Sequence, residues 1–134
     1  SEVALQEAER RYRGIFENTV EGIFQSTAQG QYIRVNPALA KIYGYQSPEE
    51  LIKKLNNIGE QLYVNPTRRQ EFLDLMQSRQ QSINFESQVY KQDGSVIWIS
   101  ENARAVNTLK VRLKILPSAK VIVKKLNIKP HTTT

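Results

Sequence analysis

Apolar and polar positions change period along this chain, and each change marks an element. Leu5, Ala8, Tyr12, Ile15 and Phe16 recur at steps of three and four in an otherwise polar stretch, which predicts a helix with one thin apolar stripe. A stripe this narrow suits packing on its own domain or pairing with a second copy as a short coiled coil. Residues 18–22 break that helix. Ile23, Phe24, Tyr32, Ile33 and Val35 then form two short strand-like runs about a turn at Ala28-Gln29-Gly30, where glycine admits positive φ. Asn36 is placed to cap the next helix, with Pro37 at its first position, and Gly44 to end it.

The same cap-plus-proline device recurs. Ser47-Pro48-Glu49-Glu50 predicts a second short helix with Leu51, Ile52 and Leu55 on its inner face, followed by a linker over residues 56–59. Asn65-Pro66 predicts a third helix over residues 66–80, amphipathic through Phe72, Leu73, Leu75 and Met76. The period then falls to two. Ile83, Phe85, Ser87 and Val89 alternate with polar residues, Asp93-Gly94 signals a hairpin, and residues 95–106 read as a second long strand. Two further alternations, at Val111-Leu113-Ile115 and Val121-Ile122-Val123, carry Lys or Arg on one face. Hairpin first, hairpin last and helices between predict an α+β fold: an antiparallel sheet with helices on one side.

Composition narrows the function. At 134 residues the chain fits one domain with one hydrophobic core. No apolar run approaches the roughly 18 residues of a membrane span, and no leader peptide is visible, so a cytoplasmic location is expected. The net charge of +6 is unevenly placed. Residues 1–106 hold 12 Lys and Arg against 13 Asp and Glu, whereas residues 107–134 hold 7 basic residues and no acidic one. That basic end lacks aromatic residues for base stacking, so nucleic-acid binding is not expected.

The ordered residues resemble the PAS domain family. The resemblance rests on Tyr12-Arg13-Gly14-Ile15-Phe16-Glu17-Asn18, Gly22-Ile23-Phe24, Gly30 through Ala38, Tyr43-Gly44-Tyr45, Ser47 through Leu51, and Lys91-Gln92-Asp93-Gly94-Ser95-Val96-Ile97-Trp98-Ile99. It implies a five-stranded antiparallel sheet with short helices on one face over residues 12–106, and a flanking signalling helix over residues 1–11. It further implies a sensory and dimerisation module of a larger protein of histidine kinase or nucleotide cyclase type. The expected partners are a second copy and an output domain. Leu5, Ala8 and Tyr12 are the expected dimer contacts. From Asn107 onward the chain departs from the family pattern, having no glycine and no Asp-Ile-Thr-like motif. Residues 107–134 therefore either supply the last strand or are an extension foreign to the domain.

Residue types exclude several chemistries. Without cysteine there is no disulfide, thiolate metal site or covalent flavin or chromophore bond. The sole histidine, His131, lies far from the helices, so haem is not expected. There is no internal base for Ser–His–Asp chemistry and no phosphate-binding loop, so no catalytic residue and no metal site is assigned. A non-covalent ligand between sheet and helices is the alternative function. The family architecture would line its pocket with Leu39, Tyr43, Leu55, Leu75, Met76 and residues of the strand over 95–106; Trp98 is placed with them, although alternation alone leaves it either in the core or on the outer sheet face.

Overall fold

The computed structural model describes residues 1–106 and 108–116. The elements run α1 (Glu2–Asn18), β1 (Gly22–Ser26), β2 (Tyr32–Val35), α2 (Pro37–Tyr43), α3 (Pro48–Lys54), α4 (Ile58–Gln61), α5 (Arg68–Arg79), β3 (Gln81–Tyr90), β4 (Val96–Val106) and β5 (Thr108–Ile115). The strands form one antiparallel sheet in the order β2-β1-β5-β4-β3. β5 is thus the central strand, and residues 108–115 supply the strand the sequence left open. Leu109, Val111 and Leu113 face the core while Lys110, Arg112 and Lys114 are exposed. Strict alternation is all a half-buried strand needs, and the missing family motif does not matter to it. The basic residues within this segment are therefore the solvent face of a strand, and those beyond Leu116 lie outside the described residues.

Cap chemistry sets the corners. Ser47 Oγ accepts from Glu50 N at 3.0 Å, and Glu50 Oε1 accepts from Gln46 N at 2.7 Å, so the reciprocal cap closes one residue further back than predicted. Asn36, fully buried, does more than cap α2. Its Oδ1 accepts from Leu39 N at 3.0 Å and from Ile23 N at 2.9 Å, and its Nδ2 donates to Glu21 O at 3.0 Å. One side chain thereby ties the entry of β1 to the start of α2.

Asn65 departs from expectation. α5 begins at Arg68, after Thr67, and no side chain caps it. Asn65 Oδ1 instead accepts from Thr67 N at 3.0 Å and Thr67 Oγ1 at 2.8 Å, a local Asx turn that delays the helix by two residues. The linker expected at residues 56–59 includes the start of α4, whose Asn57 cap accepts from Glu60 N at 3.2 Å. In β3 the register shifts between Ser82 and Phe85, with Asn84 at φ 53°, so the inward residues are Ser82, Phe85, Ser87 and Val89. The side chain of Ile83 lies outside the described residues.

The core lies between the inner sheet face and α2–α5. It is built on Phe24, Val35, Leu39, Tyr43, Leu51, Leu55, Ile58, Leu62, Phe72, Val89, Ile99 and Leu113, among others.

Candidate functional site

β4 turns Ile97, Ile99, Glu101, Ala103 and Ala105 toward the helices. Four of these are apolar and one is an acid. Glu101 sits between Phe85 of β3 and Leu113 of β5 and is 2% exposed. From the helical layer, the Tyr63 hydroxyl faces its carboxylate, and the Arg69 guanidinium lies beside both. Tyr63 is fixed in the segment after α4 by its bridge to Val89. Arg69, on the same face of α5 as Phe72 and Met76, is buried, and its Nη2 donates to the Thr27 carbonyl at 3.3 Å. Its stem passes Gly59 so closely that a Cβ there would lie 3.2 Å from Arg69 Cγ. A relay thus runs from the β1–β2 turn through α5 to the middle of the sheet.

Burial is the dominant force on this cluster. It pushes the Glu101 carboxyl up to about 7, against the opposing pull of the Arg69 charge, the Tyr63 hydrogen bond and the Arg68 charge. Glu101 therefore exchanges its proton near neutrality. Burial also raises Tyr32, Tyr43 and Tyr63 well above the usual phenol range, and the Glu101 charge adds to each. All three phenols stay neutral donors. Glu101 Oε1, Tyr32 Oη, Tyr43 Oη and Ser26 Oγ have no aligned hydrogen-bond partner among the described residues. Each such buried group costs about 1–3 kcal/mol until something pairs with it.

The six expected pocket residues do not converge on one cavity. Leu39, Tyr43, Leu55 and Met76 are buried in the core, and only Tyr43 brings a polar atom to the cluster. Leu75 is partly buried and lines a shallow recess of about 170 Å³ with Arg79 and Phe85. Met76 lines a larger recess of about 530 Å³ between α5 and the ends of β4 and β5, with Leu73, Ala105 and Leu109 below and Gln70, Gln77 and Gln80 at the rim. Trp98 is a correction. It alternates with Ile97 and Ile99 and so occupies the opposite sheet face, beside Gln88, Glu86 and Asn65. Three consecutive apolar residues at positions 97–99 hide the strand's parity.

α1 is exposed along residues 1–13, with Leu5, Ala8 and Tyr12 all open to solvent. Its last turns are held by buried Phe16, on which Tyr12 stacks at 5.9 Å while Arg34 lies 4.7 Å above the Phe16 ring.

The sequence profile described as PAS fold matches residues 10–110, and the chain belongs to the PAS family. The sensor histidine kinase TmoS of Ectopseudomonas mendocina is 28% identical over 102 residues, covering 73% of this chain and 10% of that protein. The chain thus spans about a tenth of that relative's length. Among solved structures, a domain of a sensory box sensor histidine kinase/response regulator from Geobacter sulfurreducens superposes with TM-score 0.68 at 23% identity, covering 82% of this chain and 96% of that one. A PAS domain from Colwellia psychrerythraea gives TM-score 0.69 at 16% identity, covering 81% of this chain and 97% of the other. Homologous PAS domains occur in sensor histidine kinases, and none of the described helices is long and apolar enough to cross a membrane.

Proposed function

We propose that this chain is a sensory module, without catalysis of its own, within a larger cytoplasmic signal-transduction protein of sensor-kinase type. It works by biasing contacts between two copies and relaying that bias to an output domain. The observation that carries the reading is α1. It extends from the domain with Val3 64%, Leu5 69% and Ile15 59% exposed, while Phe16 anchors its far end. A helix tethered at one end with an unpartnered apolar stripe is suited to pair with its counterpart. The kinship with TmoS supports a kinase output over a cyclase.

Sedimentation velocity over a range of concentrations tests this reading. The expected result is a reversible monomer–dimer equilibrium that Leu5→Glu weakens at least tenfold. A chain that stays monomeric throughout contradicts it.

A second reading, a receptor for a small molecule between sheet and helices, is favoured by the unpartnered hydroxyls of Tyr32, Tyr43 and Ser26. A small neutral ligand with several hydrogen-bonding groups would suit them. Thermal shifts across a panel of such compounds test it, and a uniformly flat panel counts against it.

A further inference from the structure

A sensory module needs an internal element with two states of similar free energy. Most of this molecule offers none. Its surface ion pairs, such as Lys54 with Glu50 and Arg68 with Glu71, are exposed on their own helices and respond to little beyond salt. The groove beneath α5 is apolar with a glutamine rim and holds no titratable group. The sheet centre differs. There a fully buried acid, with Oε1 unpartnered among the described residues, faces Tyr63 and the buried Arg69, whose Nη2 holds the Thr27 carbonyl.

We propose that Glu101 is the proton-responsive element of this module, and that gain or loss of its carboxyl proton resets the Tyr63–Arg69 link and with it the hold of α5 on the β1–β2 turn. The inference names the stimulus and rests on the reading of the chain as a sensor only for its biological meaning. The structural response belongs to the domain itself.

The groups that face Glu101 set the direction of the switch. β2 brings Tyr32, α2 brings Tyr43, the segment after α4 brings Tyr63, and α5 brings Arg68 and Arg69. From the flanking strands the register neighbours are Phe85 and Leu113, which carry no charge. The neutral acid needs no counter-charge, leaving Arg69 to hold the Thr27 carbonyl. An ionised Glu101 has one full positive charge within its buried surroundings, Arg69, since Arg68 is partly exposed and already committed to Glu71, Glu86 O and the Phe85 ring. Ionisation therefore draws Arg69 inward and loosens its grip on Thr27. The Thr27 turn in turn meets α4 through the bond from Ile58 N to Gly30 O at 2.9 Å, so the change reaches both the helical layer and the edge of the sheet. The relay is balanced in protons: one enters or leaves Glu101, and the phenols and guanidinium keep theirs.

The test is a ¹³C NMR titration of the side-chain carboxyls of the 134-residue chain from about pH 4.5 to 9, with Glu101→Gln assigning the signal. The expected result is a single carboxyl with a midpoint near 7, accompanied by shifts with the same midpoint at the Thr27, Gly30 and Ile58 amides that vanish in Glu101→Gln. Tyr63→Phe, which removes the hydroxyl that favours the ionised carboxylate, should move the midpoint upward by at least half a pH unit. It serves as the test should Glu101→Gln fold poorly. Two results overturn the proposal: a Glu101 midpoint within one unit of an ordinary glutamate, or a midpoint near 7 with those amides unmoved. Neither depends on dimerisation, so failure of the sensor reading is seen separately, as a monomer in sedimentation.

Discussion

Two buried polar side chains lie at the boundary between sheet and helices, and they are treated in opposite ways. Asn36 has its amide used on both sides, accepting from Ile23 and Leu39 and donating to Glu21. Glu101 is equally sealed from solvent but has one oxygen without a partner and a carboxyl poised near neutrality. The first arrangement has one low-energy state. The second has two, separated by a proton. A saturated polar group specifies architecture, whereas a half-satisfied one leaves the fold something to respond with.

Asn36→Ala should do the most damage. It strands two backbone N–H groups and a carbonyl at a buried corner, and at about 1 kcal/mol or more for each lost bond the cost is about 3 kcal/mol. Urea unfolding monitored by Trp98 fluorescence measures it, and a loss below about 1 kcal/mol would erase the contrast with Glu101. The same contrast holds at the surface on a smaller scale. Ser47 closes a helix N-terminus and Asn65 only a local turn. Ser47→Ala is expected to cost about 1 kcal/mol and Asn65→Ala less than half that, both by urea midpoint. Equal losses would mean that the Asx turn is as important to α5 as a cap would be.

How much of this was legible depends on whether the signal was local. Asn36 and Ser47 are legible because a cap followed by proline needs only adjacent residues. The second job of Asn36, reaching back to Glu21 and Ile23, depends on a chain reversal that no short pattern encodes. Asn65-Pro66 shows the limit of the same rule, since Thr67 offers its own donors and captures the asparagine first. β5 is legible in its alternation of Leu109, Val111 and Leu113. Its place at the centre of the sheet is not, because strand order is set by tertiary pairing.

The Glu101 cluster escaped because attention to apolar stripes finds core and overlooks the exception within it. The signal was nonetheless present. On β4 the odd positions from Ile97 to Ala105 are apolar apart from Glu101, and on α5 Arg69 shares its helix face with Phe72, Leu73 and Met76. An acid and a base, each alone on an otherwise apolar face, are a pair worth seeking. Tyr63 carried no such signal, since it belongs to an isolated bridge between elements. For Trp98 alternation left both faces open, and only the pairing of β4 with its neighbours puts it on the outer one.

The most direct test of the central claim is the stability of the chain and of Glu101→Gln against pH. Folding holds the Glu101 carboxyl near 7 from an ordinary value of 4.5. Stability contributed by the protonated acid is therefore complete below about pH 4.5 and is lost as pH rises through 7, a loss of about 3 kcal/mol. Glu50 and Asp93, held below the usual carboxylate range by hydrogen bonds, act with the opposite sign and only at lower pH. Between about pH 5.5 and 8.5 the wild-type chain should lose about 2 kcal/mol of that by urea unfolding, while Glu101→Gln stays level and becomes the more stable of the two at the upper end. Parallel curves for the two proteins across that range would contradict the account.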